Sequence, residues 1–164
     1  MFADDDALIT TRTASQVCQN WRSLMLATPL LWGRLLDFDI LARSTGEGYW
    51  GDELVRRTGS SVLWIKARNS LAKEWPTRNR QLVAHFLKTV EDNVHRTQIL
   101  VVDVDGTEWS IHYDSWNNVI SFPAPQLESF DLTVASTRVG MIQRTSDPGE
   151  RFRSPLFADE APRL

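Results

Sequence analysis

The sequence predicts an α/β protein: a short N-terminal helical segment followed by an irregular β/α solenoid. Three observations carry that expectation. Val17, Trp21, Leu24 and Met25 recur at helical spacing. Ile99 to Val104 is the most apolar and β-branched run in the chain, as a buried strand requires. Finally, strand-like stretches recur 37 residues apart, from Leu63 to Leu100, and then 27 residues on, at Leu127. Helical or irregular returns separate them, which is the signature of stacked β and α layers.

Each element has its own local signals. Ser15 is a candidate cap for the first helix, and Thr28-Pro29 should end it, since proline drives the preceding residue out of helix. A second apolar stretch, Leu35 to Leu41, runs into the glycine-containing loop Ser44 to Gly51. Asp52 to Arg57 reads as a short helix stopped by Gly59, and Val62 to Ile65 as a short strand. Trp75-Pro76 breaks the chain. Leu82, Val83, Phe86, Leu87 and Val90 then predict a helix over about Arg78 to Val94. Leu127 to Leu132 alternates apolar and polar residues like a half-buried strand. Ala124-Pro125-Gln126-Leu127 returns as Ala161-Pro162-Arg163-Leu164, 37 positions later, so the chain reads as ending mid-repeat. The expected division is a helical segment over 1–40 and a repeat region over 41–164.

Composition bounds the function. The chain has 164 residues, enough to bury roughly 70% of its unfolded surface and hold a core without staples. A net charge of −3 gives no basic excess for phosphates, so no nucleic acid is expected as partner. No apolar run approaches a membrane span, and the acidic start does not resemble a signal peptide. An intracellular protein, in cytoplasm or nucleus, is expected. Cys18 is the only cysteine, which leaves no internal disulfide and no cysteine-rich metal module. As a small hydrophobe on the first helix, it is expected to be buried. Seven tryptophans stand beside an arginine-dominated basic set with only three lysines. That pair is enriched in binding hot spots, although tryptophan also fills cores.

The sharpest catalytic pattern is Asp103-Val104-Asp105-Gly106-Thr107 after the Ile99 run. It resembles the first motif of haloacid dehalogenase-like phosphatases, in which the first aspartate is the nucleophile and the second a general acid. That family also draws on a downstream lysine, and no lysine follows Lys88. The acidic pair Asp159-Glu160 has no strand before it. The simpler reading makes Asp103 and Asp105 polar residues where a buried strand leaves the core. His85, His95 and His112 lack metal-ligand spacing, and His85 suits a partly buried structural role. No cofactor, metal site or catalytic residue is expected.

Val17-Cys18-Gln19-Asn20-Trp21-Arg22 through Thr28-Pro29-Leu30-Leu31-Trp32-Gly33 resembles the last helix of an F-box, in the form abundant in F-box-like proteins of mushroom-forming fungi. The Arg57-Thr58-Gly59-Ser60 turn, His95-Arg96 and the two Ala-Pro-x-Leu stretches are similar to the leucine-rich-repeat-like region of the same group. That family's F-box opens with a leucine-proline-glutamate helix and a second apolar helix. Here about a dozen acidic or threonine-rich residues precede Val17, so residues 1–40 read as a truncated F-box. The resemblance implies a non-catalytic substrate-recognition subunit of a cullin-RING (SCF-type) ubiquitin ligase. Its Skp-type adaptor would meet the F-box, and a target protein, unknown in identity, would meet the repeats. Val17, Trp21, Leu24, Pro29, Leu31 and Trp32 are the implied adaptor-binding or F-box core residues. The alternatives are the phosphatase built on Asp103 and Asp105, and a degenerate fragment with an interaction role only.

Overall fold

A computed structural model describes residues 7–43, 49–68, 76–105, 112–135 and 157. Three short helices open the chain: α1 (Ala7–Ala14), α2 (Gln19–Leu26) and α3 (Pro29–Gly33). Strand β1 (Leu36–Asp37) leads into α4 (Phe38–Arg43) and α5 (Tyr49–Arg57). Then β2 (Leu63–Ala67), α6 (Pro76–Asn93), a 3-10 turn over Val94–Arg96, β3 (Thr97–Asp105), α7 (Tyr113–Ser121) and β4 (Ser129–Ala135) follow in order.

The four strands form one sheet in the order β1-β2-β3-β4, with every neighbouring pair parallel. A parallel pair needs a crossover, and each crossover here contains at least one helix. The architecture is therefore mixed α/β with a sequentially ordered parallel sheet.

Alternation along the strands sorts the two faces of the sheet. Ile65 and Ala67 pair with Leu100 and Val102, and these with Phe130 and Leu132, on one face. Against it α6 buries Val83, Phe86, Leu87 and Val90, and α7 buries Trp116, Val119 and Ile120. Phe86 stands edge-on to Phe38, with centroids 5.0 Å apart, and is tilted against Trp116 at 5.8 Å. This is the main core. The other face carries Lys66, Val101 and Asp131 in one row and Asp103 and Thr133 in another.

The N-termini of consecutive strands are tied together. The Arg96 guanidinium donates to Asn93 Oδ1, to Thr58 Oγ1 at 3.0 Å and to the Ser61 carbonyl at 2.8 Å. It thus joins the turn before β2 to the turn before β3. One step further, the Glu128 amide donates to the Gln98 carbonyl at 2.8 Å. At β1, Asp37 Oδ1 accepts the Asp39 amide and caps α4, while its Oδ2 lies 3.2 Å from Lys66 Nζ across the strand pair. The Ala-Pro-x-Leu stretch before β4 is a turn closed from the Leu127 amide to the Ala124 carbonyl, with both side chains buried.

Several expectations shift. The first predicted helix begins later than expected, at Gln19, because Ser15 turns its hydroxyl back onto the Arg12 carbonyl at the end of the separate helix α1. Cys18, not Ser15, is the residue before α2, and it is exposed rather than buried. Thr28-Pro29 does interrupt the helix, but Pro29 also starts α3, where its missing N–H costs nothing. Gly59 has φ +52°, the left-handed conformation a helix stop needs. Helix α7 falls where no element was predicted. Residues 136–156 and the second Ala-Pro-x-Leu stretch lie outside the described residues.

Candidate functional site

Exposed apolar surface is concentrated at one end of the chain. Among the described residues, six of the seven exposed large apolar side chains lie between Ile9 and Leu30. Helix α2 is the centre of this patch. An isolated helix of eight residues is marginal in water, so tertiary contacts must hold it. Met25 is its single buried side chain. The Trp32 indole, wholly buried, donates to the Met25 carbonyl at 2.8 Å. Thr28 Oγ1 donates to the Leu24 carbonyl and closes the C-terminal end.

With Met25 turned inward, the stripe of Val17, Trp21 and Leu24 faces solvent, at 75%, 47% and 60% exposure. Complete burial of such side chains is worth about 1.5–3 kcal/mol each. Half-exposed as they are, the three retain on the order of 3–5 kcal/mol of unspent transfer free energy. A stripe of this kind is what helix-in-groove recognition uses.

The scaffold beneath is rigid. Arg57 lies between two indoles, 5.0 Å from the Trp32 ring and 5.4 Å from that of Trp50, and Arg12 sits 5.0 Å from Trp50 on α1. Glu53 holds Arg57 at 2.8 Å and Arg56 at 2.6 Å. Hydrogen bonds from Arg56 and then Arg57 pull the Glu53 carboxyl down to about 2. This ladder clamps α1, α3 and α5 together. Beneath α3, a Cβ on Gly33 would collide with the Val62 carbonyl oxygen, so only glycine lets α3 sit on the turn before β2. Ser61 Oγ, donating to the Pro29 carbonyl at 3.1 Å, fastens the same junction.

The six residues singled out in the sequence therefore divide. Trp21 and Leu24 are exposed on α2, and Val17 is exposed just before it. Pro29 is exposed at the start of α3, Leu31 is partly buried against the core, and Trp32 is interior. Leu26, Leu30 and Ile9 belong to the exposed patch and were not singled out. Helical period marks a stripe as apolar; it carries no information on whether that stripe turns inward.

Asp103 lies on the second face of the sheet, opposite Thr133 in register. Burial pushes its carboxyl up, against a hydrogen bond to Thr133 and the charge of Arg68 that lower it, while Asp131 and Asp39 raise it further. Asp39 also accepts the Arg68 amide at 3.1 Å. A nucleophilic carboxylate needs stabilisation of its ionised form, and this setting favours the neutral one. The side chain of Asp105 lies outside the described residues. Among the described residues there is no group of three His, Cys, Asp or Glu side chains able to hold a metal ion. His85 is partly buried, with Nδ1 3.7 Å from Asp52 Oδ1 and its ring tilted on Phe38. No helix among the described residues is long and apolar enough to cross a membrane.

Comparison with known protein families, with curated proteins and with solved structures returns no match for this chain.

Proposed function

We propose that the protein is a non-catalytic protein-binding module that docks through the exposed stripe of α2, acting as a substrate-recognition subunit of a cullin-RING ubiquitin ligase. The observation that carries the docking half is the exposure of Trp21 and Leu24 on α2, a helix that buries only Met25, and of Val17 just before it. Exposed large apolar side chains clustered in this way mark interaction sites. The ligase half comes from the F-box resemblance, whose six implied residues include these three. In this reading the Skp-type adaptor takes α2 and the neighbouring turn at Leu30, and Trp32 positions the helix from below.

The parallel sheet in sequential order agrees with a leucine-rich-repeat-like continuation. On the second face of the sheet Lys66 and Val101 are buried, so a target protein would meet that face at the exposed Asp131 and the partly buried Asp103 and Thr133. A side chain whose role is binding can be removed without loss of the fold, and that separates binding from packing. The test is calorimetric titration of the chain with a recombinant Skp-type adaptor, alongside Trp21→Ala and Leu24→Ala. Saturable binding that each variant weakens at least tenfold, with unchanged thermal stability, is the expected result. No heat of binding for the native chain removes the ligase role.

A further inference from the structure

We infer that residues 16–28 form a latched strap that opens as a local unit while the rest of the fold stays closed. The opening is read on the chain alone; only its consequence for a partner rests on the docking reading above.

Over 16–28 every residue is exposed except Met25. The Met25 side chain is seated in the core, and its carbonyl accepts the Trp32 indole N–H at 2.8 Å. These two contacts are the latch. The bonds from the Ala27 amide to the Ser23 carbonyl and from Thr28 Oγ1 to the Leu24 carbonyl stay within the strap and fasten it to nothing beneath. Both flanks are anchored. Before the strap, Leu8 is buried and Ser15 Oγ closes on the Arg12 carbonyl. After it, the Pro29 carbonyl accepts Ser61 Oγ and Trp32 is fully enclosed. The pivots are therefore the turn over 16–18 and the break at 27–28.

How often a segment opens is set by the native contacts that opening breaks. An eight-residue helix is marginal by itself, so α2 loses its order once the latch is released, and the strap opens in one step. Strand β3 differs. It pairs with β2 on one side and β4 on the other, and freeing its amides takes the sheet apart. Opening of α2 is therefore far more frequent than opening of β3. In the docking reading the partner receives α2 in its closed form. Docking and opening then exclude each other, and a bound partner suppresses the opening in proportion to its occupancy.

Native-state hydrogen exchange of the full chain, without any partner and over a series of low urea concentrations, tests the latch. The amides over 22–26 are expected to be at least about a hundredfold less protected than those over 100–102. Their exchange should be nearly independent of urea, because the opening exposes little surface, whereas that of β3 should rise with urea. Two variants aim at the latch. Trp32→Phe keeps a ring in the site but removes the indole donor, and should lower the protection of α2 about fivefold. Met25→Ala should lower it at least about tenfold. Trp21→Ala, exposed and outside the latch, should leave it within about twofold. Protection of α2 that equals that of β3 and follows urea with it overturns the inference, as does a loss in Trp21→Ala equal to that in Met25→Ala. Failure of the Skp-type adaptor to bind removes the ligase role and leaves the latch standing. Uniform protection with adaptor binding intact does the reverse.

Discussion

The two halves of this molecule treat the same kind of sequence pattern in opposite ways. In α6, apolar residues at helical spacing (Val83, Phe86, Leu87, Val90) all turn inward against the sheet. At α2, the equally periodic Val17 (just before the helix), Trp21 and Leu24 turn outward, and Met25 is the one side chain of the helix that is buried. Periodicity tells that a surface must be covered; topology decides whether the chain covers it itself. The sheet provides a wide apolar floor for α6 and α7. The N-terminal helices have no such floor, and their underside is already filled by Trp32 and the arginine–tryptophan ladder.

That contrast can be broken most forcefully at the two tryptophans of the N-terminal helices. Trp32→Ala empties a fully enclosed site and removes the hydrogen bond to Met25, and is expected to cost about 3–5 kcal/mol in denaturant unfolding. Trp21→Ala should change stability by no more than about 0.5 kcal/mol, as an exposed substitution does. Equal costs at both positions would mean that α2 is packed like α6.

Next in size is the junction between consecutive strands. Arg96→Ala leaves the Ser61 carbonyl and Asn93 Oδ1 without their charged donor and is expected to cost about 1.5–3 kcal/mol. Gly33→Ala forces α3 off the Val62 carbonyl, with an expected loss of about 1–3 kcal/mol. It should also weaken docking, since α3 and Trp32 place α2; thermal melts with parallel binding curves check both.

The smallest effects are in the pH dependence. Glu53 is held at about 2, below its ordinary value of 4.5, so its contribution is complete only well above that value and is lost as pH falls through it towards 2. The exposed Arg56 leaves the cluster open to solvent and keeps the effect small, and Glu53→Gln should flatten that acid limb slightly. Asp103 has the opposite sign. Burial raises its carboxyl, so the folded state binds the proton more tightly, and stability falls as pH rises through the raised value. Asp103→Asn should therefore leave stability at neutral pH unchanged or slightly higher. A marked loss of stability would show that the ionised carboxylate holds the sheet together.

Much of the fold was legible in the chain. The Ile99 run is β3, the 78–94 pattern is α6 with shifted ends, and the Gly59 stop is a left-handed residue. Helix α7 was missed although Trp116, Val119 and Ile120 have helical spacing, because Asn117 and Asn118 between them favour turns. Helix α1 was missed for a related reason. Its threonines are weak helix formers, and Thr13 satisfies its hydroxyl on the Ile9 carbonyl one turn back. The tryptophan and arginine surplus was visible, but its main use was not. Among the described residues, Trp32, Trp50 and Trp64 stack with arginines of the chain itself, and Trp21 lies on the exposed stripe. Only three-dimensional placement separates these uses.

Hydrogen exchange of the chain with and without the Skp-type adaptor tests the docking face most directly. The amides of 19–26 and of the turn to Leu30 should become protected on binding, while those of β3, already in the sheet, stay unchanged. Protection confined to the sheet, with α2 exchanging as freely as in the isolated chain, would contradict a docking role for Val17, Trp21 and Leu24.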